Sequence, residues 1–398
     1  MVFVRSRKRM RQRMTFGFDP AELSSGAWMH LGEVVAKLQS FAGAVLRPAI
    51  EQELLVTHEA TGIHGTVALA GNSLDAQDVR RVVDGTFDMS PGQGDLVREV
   101  ENMHDAHHEV IRSMEDDIHD LTTETICDYN ARVLDGLPLE AEVTPGEIRS
   151  DDTKARRSGG VSFQDCRSLL DRLCCWLNGP DFAVDDDPDF YPKLIARALL
   201  AHLYLARIRP FEAGNGRTAR LLEFRLMAES GIPLAPCHLL SGYYYRTRTD
   251  YETILDGSGR TDSSGSGEFL FYALRGWSEG LDEIAQWVLS DHELLVWDNI
   301  VYGHFADQKS PAALRREELA QGIPPIGTIP DSGLMQVPAV ARAYSRKNPK
   351  TLARDLDLLE EMGLLIRTPD GYSRNLHIMT EGRPRTGVPT VIYVDEER

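Results

Sequence analysis

Residues 205–226 read LARIRPFEAGNGRTARLLEFRL, an apolar run that passes through a short Gly-rich loop into a second, basic and apolar run. Gly214 and Gly216 permit a tight turn and close backbone approach. A helix beginning beside them presents unpaired N–H groups and roughly half a positive charge to whatever lies ahead of it, so anions bind there. Arg217 and Arg220, three positions apart in its first turn, lie on one side, where both guanidinium forks reach a single polyphosphate. Loop, helix start and paired arginines together predict a phosphate-binding site, with a purely structural turn as the alternative.

The flanking sequence places this loop between helices. KLIARALLAHLYLARI, resuming from Pro192, is apolar nearly all round and is expected at the centre of the fold. TARLLEFRLMAESG predicts a helix closed by a glycine, and LLSGYYYRTRTDYETIL another helix. From Glu22 to about Leu137 the apolar residues recur at three and four, in WMHLGEVVAKLQSFAGAVLRPAI and again in DLVREVENMHDAHHEVIRSM, which predicts packed helices. VTPGEIRSDDTKARRSGGVSF is punctuated by Pro, Gly and Ser and reads as a small β-hairpin flap around Arg156, Arg157 and Val161. Beyond a long helical stretch from Glu268, SPAALRREELAQGIPPIGTIPDSG turns rich in Pro and Gly and reads as a linker. Two short amphipathic helices then precede two strand-like runs around Pro369-Asp370-Gly371, the order of a winged helix. The expected division is a basic tail at 1–20, an N-terminal helical region at 21–100, a helical core at 101–300, a linker at 301–332 and a winged-helix domain at 333–398.

Composition sets the bounds. With 398 residues, 42% hydrophobic and 26% charged, the chain has room for two or three globular domains. No run approaches the roughly 20 apolar residues of a membrane helix, and the opening RSRKRMRQRM is a basic tail rather than a secretory signal. A cytoplasmic protein without a membrane partner is the expectation. The five cysteines lack CxxC spacing and are read as reduced and mostly buried. A net charge of -18 argues against the whole molecule being a nucleic-acid coat, while a local basic surface could still bind DNA.

Residues 209–220 resemble the signature of Fic-domain proteins, His-x-Phe-x-(Asp/Glu)-Gly-Asn-Gly-Arg-x-x-Arg, at Phe211, Gly214, Asn215, Gly216, Arg217 and Arg220. The order of flanking segments is similar over about residues 55–290, and many such proteins carry a C-terminal winged helix. The resemblance implies a mainly α, Fic-like helical bundle with a small β-hairpin flap, and transfer of AMP or a related phosphate-containing group to an acceptor hydroxyl. It implies a nucleotide donor, ATP or another phosphate-containing one, held by Gly214, Asn215, Gly216, Arg217 and Arg220. Tyr244 and Tyr251 stand where aromatics contact the base. The acceptor is a protein or a small molecule.

Three positions depart from the family. Arg209 stands where the family has the histidine that deprotonates the acceptor. Deprotonating an arginine at pH 7 costs at least about 7 kcal/mol, so Arg209 cannot be that base. Ala213 stands where the family's carboxylate holds Mg²⁺, which puts the metal in doubt; Glu212 is the neighbouring carboxylate. In TVALAGNSL, which resembles the family's inhibitory helix, Ala70 replaces the glutamate that pairs with the second arginine, so Arg220 is expected to be free for an anion. A register using TGIHG would put His64 there instead. The catalytic positions are thus Arg209 and Glu212, and two readings stay open: altered transfer chemistry, or a silent nucleotide-sensing regulator.

His202 reads as a satisfied interior histidine. His104, His107 and His108 have helix spacings that suit a metal, but their carboxylates form no recognisable motif, so a polar helix face is preferred and no metal ligands are assigned. In the C-terminal region Lys350, Arg354, Arg367 and Arg374 favour DNA, whereas Asp355, Asp357, Glu360 and Glu361 oppose it. Protein contact or homodimer packing is preferred there over DNA.

Overall fold

The computed structural model describes residues 14–116, 120–151, 161–183, 190–256, 265–324 and 327–379. The chain divides into two compact units, Met1–Trp287 and Val288–Arg398. The first is helical: α1 (Ser25–Ala42), α2 (Pro48–Leu69), α3 (Ala76–Val83), α4 (Gly94–Asp116), α5 (Thr123–Val133), α6 (Phe163–Leu177), α7 (Phe190–Ile208), α8 (Asn215–Glu229), α9 (Leu234–Cys237), α10 (Leu239–Arg246) and α11 (Arg248–Asp256). The long α12 (Ser266–Phe305) supplies residues to both units. None of the described helices is long and apolar enough to cross a membrane.

Local chemistry explains where these helices begin. Ser24, Asp75 and Thr122 cap α1, α3 and α5, each accepting from a backbone N–H in the first turn. The central position of α7 follows from its sequence: Ile195, Ala198, Leu199, Leu200, Ala201 and Leu203 are all fully buried, and α8 packs along it. At Gly65 on α2 an added Cβ would lie 2.3 Å from the Ser241 carbonyl oxygen, so a glycine there lets α10 approach backbone to backbone. The segment read as one helix from Leu239 is two, α10 and α11, with Thr247 between them.

The second unit holds α13 (Pro311–Gly322), α14 (Pro338–Tyr344), α15 (Pro349–Glu361) and an antiparallel hairpin of β1 (Leu365–Thr368) and β2 (Gly371–Arg374), paired Leu365↔Arg374 to Thr368↔Gly371. Ile329 bridges to Tyr372 on the outer edge of β2. Part of the expected linker is therefore helix. Ser310 caps α13 and Pro311 opens it, while Ala313, Leu319 and Ala320 join the core formed by Trp297, Leu356 and Leu365. The flap expected around Arg156 and Arg157 lies outside the described residues, and Val161 leads into α6.

Asp355 is not the surface acid that the sequence suggests. It is fully buried, accepts from Arg315 Nη2 at 2.8 Å, Arg316 Nε at 2.9 Å and Tyr344 Oη at 2.9 Å, and so ties α15 to α13 and α14. Burial pushes its carboxyl up, but the hydrogen bonds from Arg316, Arg315 and Tyr344 outweigh this and hold it below the usual aspartate range. A depressed folded value means that the stabilisation is complete above the unfolded value of about 3.9 and disappears as pH falls through the folded one. Asp355→Asn should destabilise the second unit by about 3–5 kcal/mol at neutral pH. The deficit relative to the parent should shrink below about pH 4 in urea unfolding followed against pH; a deficit constant down to about pH 2 would contradict the assignment.

Candidate functional site

The loop between α7 and α8 is fixed by side chains that bond to its backbone. At the end of α7 the Arg209 N–H donates to the Leu205 carbonyl at 3.1 Å, and the chain then turns through a left-handed residue. That residue is Arg209 itself, at φ 48°, the one non-glycine among the described residues with positive φ. Such a conformation costs an ordinary residue roughly 1–2 kcal/mol. Arg149 holds the turn from outside: its Nε donates to the Arg209 carbonyl at 2.8 Å, its backbone N–H donates to Pro210 at 2.9 Å, and Nη2 reaches the Val161 carbonyl.

Asn215 closes the loop internally, accepting from the Phe211 N–H at 3.0 Å and donating to the Phe211 carbonyl at 2.7 Å. Asn130, from α5 and almost wholly buried, donates to the Ala213 carbonyl at 3.0 Å and to Thr218 Oγ1 at 3.1 Å. It also accepts from the Gly146 N–H at 3.0 Å. Gly214 has φ 77°, and an added Cβ would sit 2.9 Å from Asn130 Nδ2, so both conformation and space demand glycine. No side chain caps α8, whose first turn faces a cavity of about 480 Å³.

Arg209, Glu212, Gly214, Asn215, Gly216, Arg217, Arg220 and Tyr251 all line that cavity, together with Ala70 and Arg149. Tyr244 does not: it is fully buried, stacks on Tyr251 at 4.7 Å and donates to Glu223 Oε1 at 2.9 Å. The expectation of base contact therefore transfers to Tyr251 alone, because α10 turns Tyr244 into the core.

The two arginines are both engaged. Arg217 pairs with Glu99 of α4, whose other carboxylate oxygen accepts from Asn72 Nδ2 at 2.9 Å. Burial pushes the Arg217 guanidinium below the usual arginine range, and Glu99 opposes that shift. Arg220 differs from expectation: losing a glutamate at Ala70 has not left it loose. Its Nε and Nη2 donate to Thr66 Oγ1 at 3.2 Å and the Thr66 carbonyl at 3.1 Å, and Nη1 donates to Tyr251 Oη at 3.3 Å. Its hydrogen-bond partners are neutral. Gly216 leaves room for this head group, since a Cβ there would lie 3.2 Å from Arg220 Nη1.

Behind Tyr251 runs a buried relay. His202, fully buried as its sequence context predicts, meets Glu223 through Nδ1 at 2.9 Å and Tyr251 Oη through Nε2 at 2.8 Å. With the proton on Nδ1 donated to Glu223, Nε2 accepts from Tyr251, whose oxygen is left to accept from Arg220. His202 thus orients Tyr251 and, through it, Arg220.

Mg²⁺ fits poorly. Ala213 offers no side-chain ligand, its carbonyl accepts from Asn130, and of the signature segment only Glu212 brings a carboxylate to the cavity wall. Asn130, Arg149, Glu99 and Thr66 were not singled out by sequence reasoning, since each acts through a contact distant in the chain. His64, the alternative at the inhibitory position, is absent from the cavity wall and packs on Tyr245 at 5.1 Å.

The helical unit, with its Gly-rich loop ahead of α8, has the order of elements that the signature resemblance implies, and the comparisons agree. Residues 120–227 match the model of the Fic/DOC family, and the chain carries a Fic domain there. It is 32% identical over 196 residues to the protein adenylyltransferase fic-1 of Caenorhabditis elegans, covering 46% of this chain and 34% of that one. It is 28% identical over 186 residues to the protein adenylyltransferase Fic of Drosophila melanogaster, covering 46% and 35%. The chain spans about a third of the length of these curated relatives. Among solved structures, a Fic family protein from Desulfovibrio desulfuricans G20 shares the fold with a TM-score of 0.54 at 18% identity, over 91% of this chain and 98% of the other.

The geometry assigns Asn130 a structural load that can be measured. Asn130→Ala leaves the Ala213 carbonyl and the Gly146 N–H without their partner and should cost about 1–3 kcal/mol. Amide hydrogen exchange at 209–216 should accelerate well beyond that of the α7 core. Unchanged exchange in the loop would show that Asn215 and Arg149 suffice.

Proposed function

We propose that the chain is a divergent Fic-type transferase that holds an ATP-type or other phosphate-containing donor ahead of α8 and moves part of it to a protein or small-molecule acceptor. The observation that carries this reading is the cavity wall itself, where four arginines, Arg149, Arg209, Arg217 and Arg220, meet the uncapped start of α8 against two glutamates, Glu212 and Glu252. Such a wall favours a multiply charged anion. The relatives' names, protein adenylyltransferases, support a nucleotide donor and a protein acceptor. Cytoplasmic location belongs to the same proposal.

In this reaction the acceptor oxygen attacks phosphorus, a new P–O bond forms, and the bond to the departing phosphate breaks. Arg217 and Arg220 meet the charge on the phosphates. The acceptor proton leaves to solvent or to a base on the acceptor, because Arg209 holds no lone pair to take it. Omitting a positioned base costs a factor of about 10²–10⁴, so slow transfer, or an acceptor more acidic than an alcohol, is expected.

One observation favours the second reading, a catalytically silent nucleotide-sensing regulator: Arg217 is already paired with Glu99, so an incoming phosphate competes with a carboxylate. The second unit fits this reading as a winged helix, on the support of its helices followed by the β1–β2 hairpin. DNA and a second copy of the chain are its candidate partners.

Intact mass spectrometry after incubation with a panel of nucleotides in cell extract, with and without Mg²⁺, tests the proposal. A nucleotide-dependent mass gain on the chain or on another protein, lost in Arg217→Ala, is expected; donor affinity in that variant should fall about 10-fold or more. Calorimetric binding without any adduct would select the regulator, and no binding of any nucleotide would sink both. Introducing Arg209→His together with Ala213→Asp should raise Mg²⁺-dependent transfer by at least about 10²-fold.

A further inference from the structure

We propose a divalent metal site of the zinc class, built by Glu59 on α2 with His104 and His108 on α4, away from the residues of the phosphate cavity. The three histidines of α4 separate in the fold. His107 turns inward between Phe224 and His238, with ring centroids at 4.4 and 4.9 Å, and takes no part. His104 and His108, four apart and so on one helix face, converge on the carboxylate of Glu59.

The distances suit coordination. Glu59 Oε1 lies 3.0 Å from His104 Nδ1 and 3.3 Å from His108 Nε2, and the three ligand atoms lie within 4.8 Å of one another. A tetrahedral zinc ion with bonds of about 2.0–2.1 Å separates its ligand atoms by about 3.3–3.4 Å. One carboxylate oxygen thus faces two imidazole nitrogens whose rings stand 4.3 Å apart. The approach of His104 Nδ1 to that oxygen has hydrogen-bond geometry, whereas His108 Nε2 is held at 3.3 Å. A cation needs only the lone pairs there.

Burial is graded as a three-ligand site requires. The Glu59 side chain is 7% exposed, that of His104 30% and that of His108 49%, so a fourth position would be open to solvent. Two imidazoles and a carboxylate are a donor set for a borderline cation rather than for Ca²⁺ or Mg²⁺. The consequence reaches the phosphate cavity through the helices themselves. α2 also carries Thr66, which holds Arg220, and α4 carries Glu99, which holds Arg217. A metal bridging α2 and α4 would clamp together the two helices that set both arginines.

The test uses the full chain, dialysed against chelator and titrated with Zn²⁺ by calorimetry. One equivalent should bind, Co²⁺ should give the visible absorption of a four-coordinate ion, and Zn²⁺ should raise the melting temperature. His108→Ala, at an exposed position, should weaken Zn²⁺ binding by about 10-fold or more and abolish the thermal shift; His104→Gln serves as the second variant should the first not fold. Absence of saturable binding up to about 1 mM Zn²⁺ overturns the proposal. So does binding of equal strength in the folded variant, which would place the ion elsewhere, for example at the exposed Cys175.

Discussion

Asn130 is the point from which the loop is held. Its one amide joins three pieces of backbone and side chain that come from α5, the segment at Gly146, and the α7–α8 turn. A buried amide with all its partners made is stiff, because any movement strands a donor or an acceptor in a low-dielectric interior. The turn it holds contains two left-handed residues, Arg209 and Gly214, within six positions. Arg149 and Asn215 supply further hydrogen bonds to this turn. The direction in which α8 points its first turn, and hence everything about the cavity, follows from this set of contacts.

The charges are arranged in depth. Arg220 is buried yet is held by a threonine and a tyrosine rather than by a carboxylate, and its charge is therefore oriented without being neutralised. The formal negative charge nearest it along the relay is Glu223, reached only after Tyr251 and His202. Arg217 is treated differently, since Glu99 neutralises it and Asn72 in turn braces Glu99. Of the two motif arginines, the second thus has neutral hydrogen-bond partners and the first a carboxylate. An anion that displaces Glu99 gains Arg217, at the cost of leaving that carboxylate and Asn72 to find other partners.

Much of the fold is legible in the sequence because helices declare themselves by period and by their ends. The apolar run of α7, the glycine past α8 at Gly231 with φ 73°, and the hairpin turn at Pro369-Asp370 all obey local rules. The start of α13 is equally legible, since Ser310-Pro311 is a strong start signal, whereas the Pro- and Gly-rich end of the same segment reads as linker. The glycines and arginines that lie adjacent in sequence come together on one cavity wall. Asn130, Arg149, Glu99 and Thr66 could not be read, because each meets the loop across more than fifty residues of chain and carries no local pattern of its own. Tyr244 and Tyr251 show the limit in miniature: both are tyrosines seven positions apart, and only the break between α10 and α11 decides that one reaches the cavity wall and the other the core.

The substitutions at Arg209 and Ala213 become a single change when counted as charge. Relative to the family pattern, one replaces a neutral base by a cation and the other removes an anion, so the site gains two positive formal charges, the charge of one Mg²⁺ ion. In a partly enclosed cavity that difference is worth several kcal/mol to a polyphosphate even at an effective dielectric constant near 20. On the proposed function, a site so altered favours the metal-free anion, and Mg²⁺ would compete with the protein for the donor instead of assisting it. On the proposed reading, the loss of the metal carboxylate and the gain of an arginine compensate each other in binding. They do not compensate in proton transfer, because Arg209 supplies charge and no lone pair. On that reading the site is better matched to holding a nucleotide's phosphates than to activating a hydroxyl, and the acceptor would bring its own reactivity to the transfer.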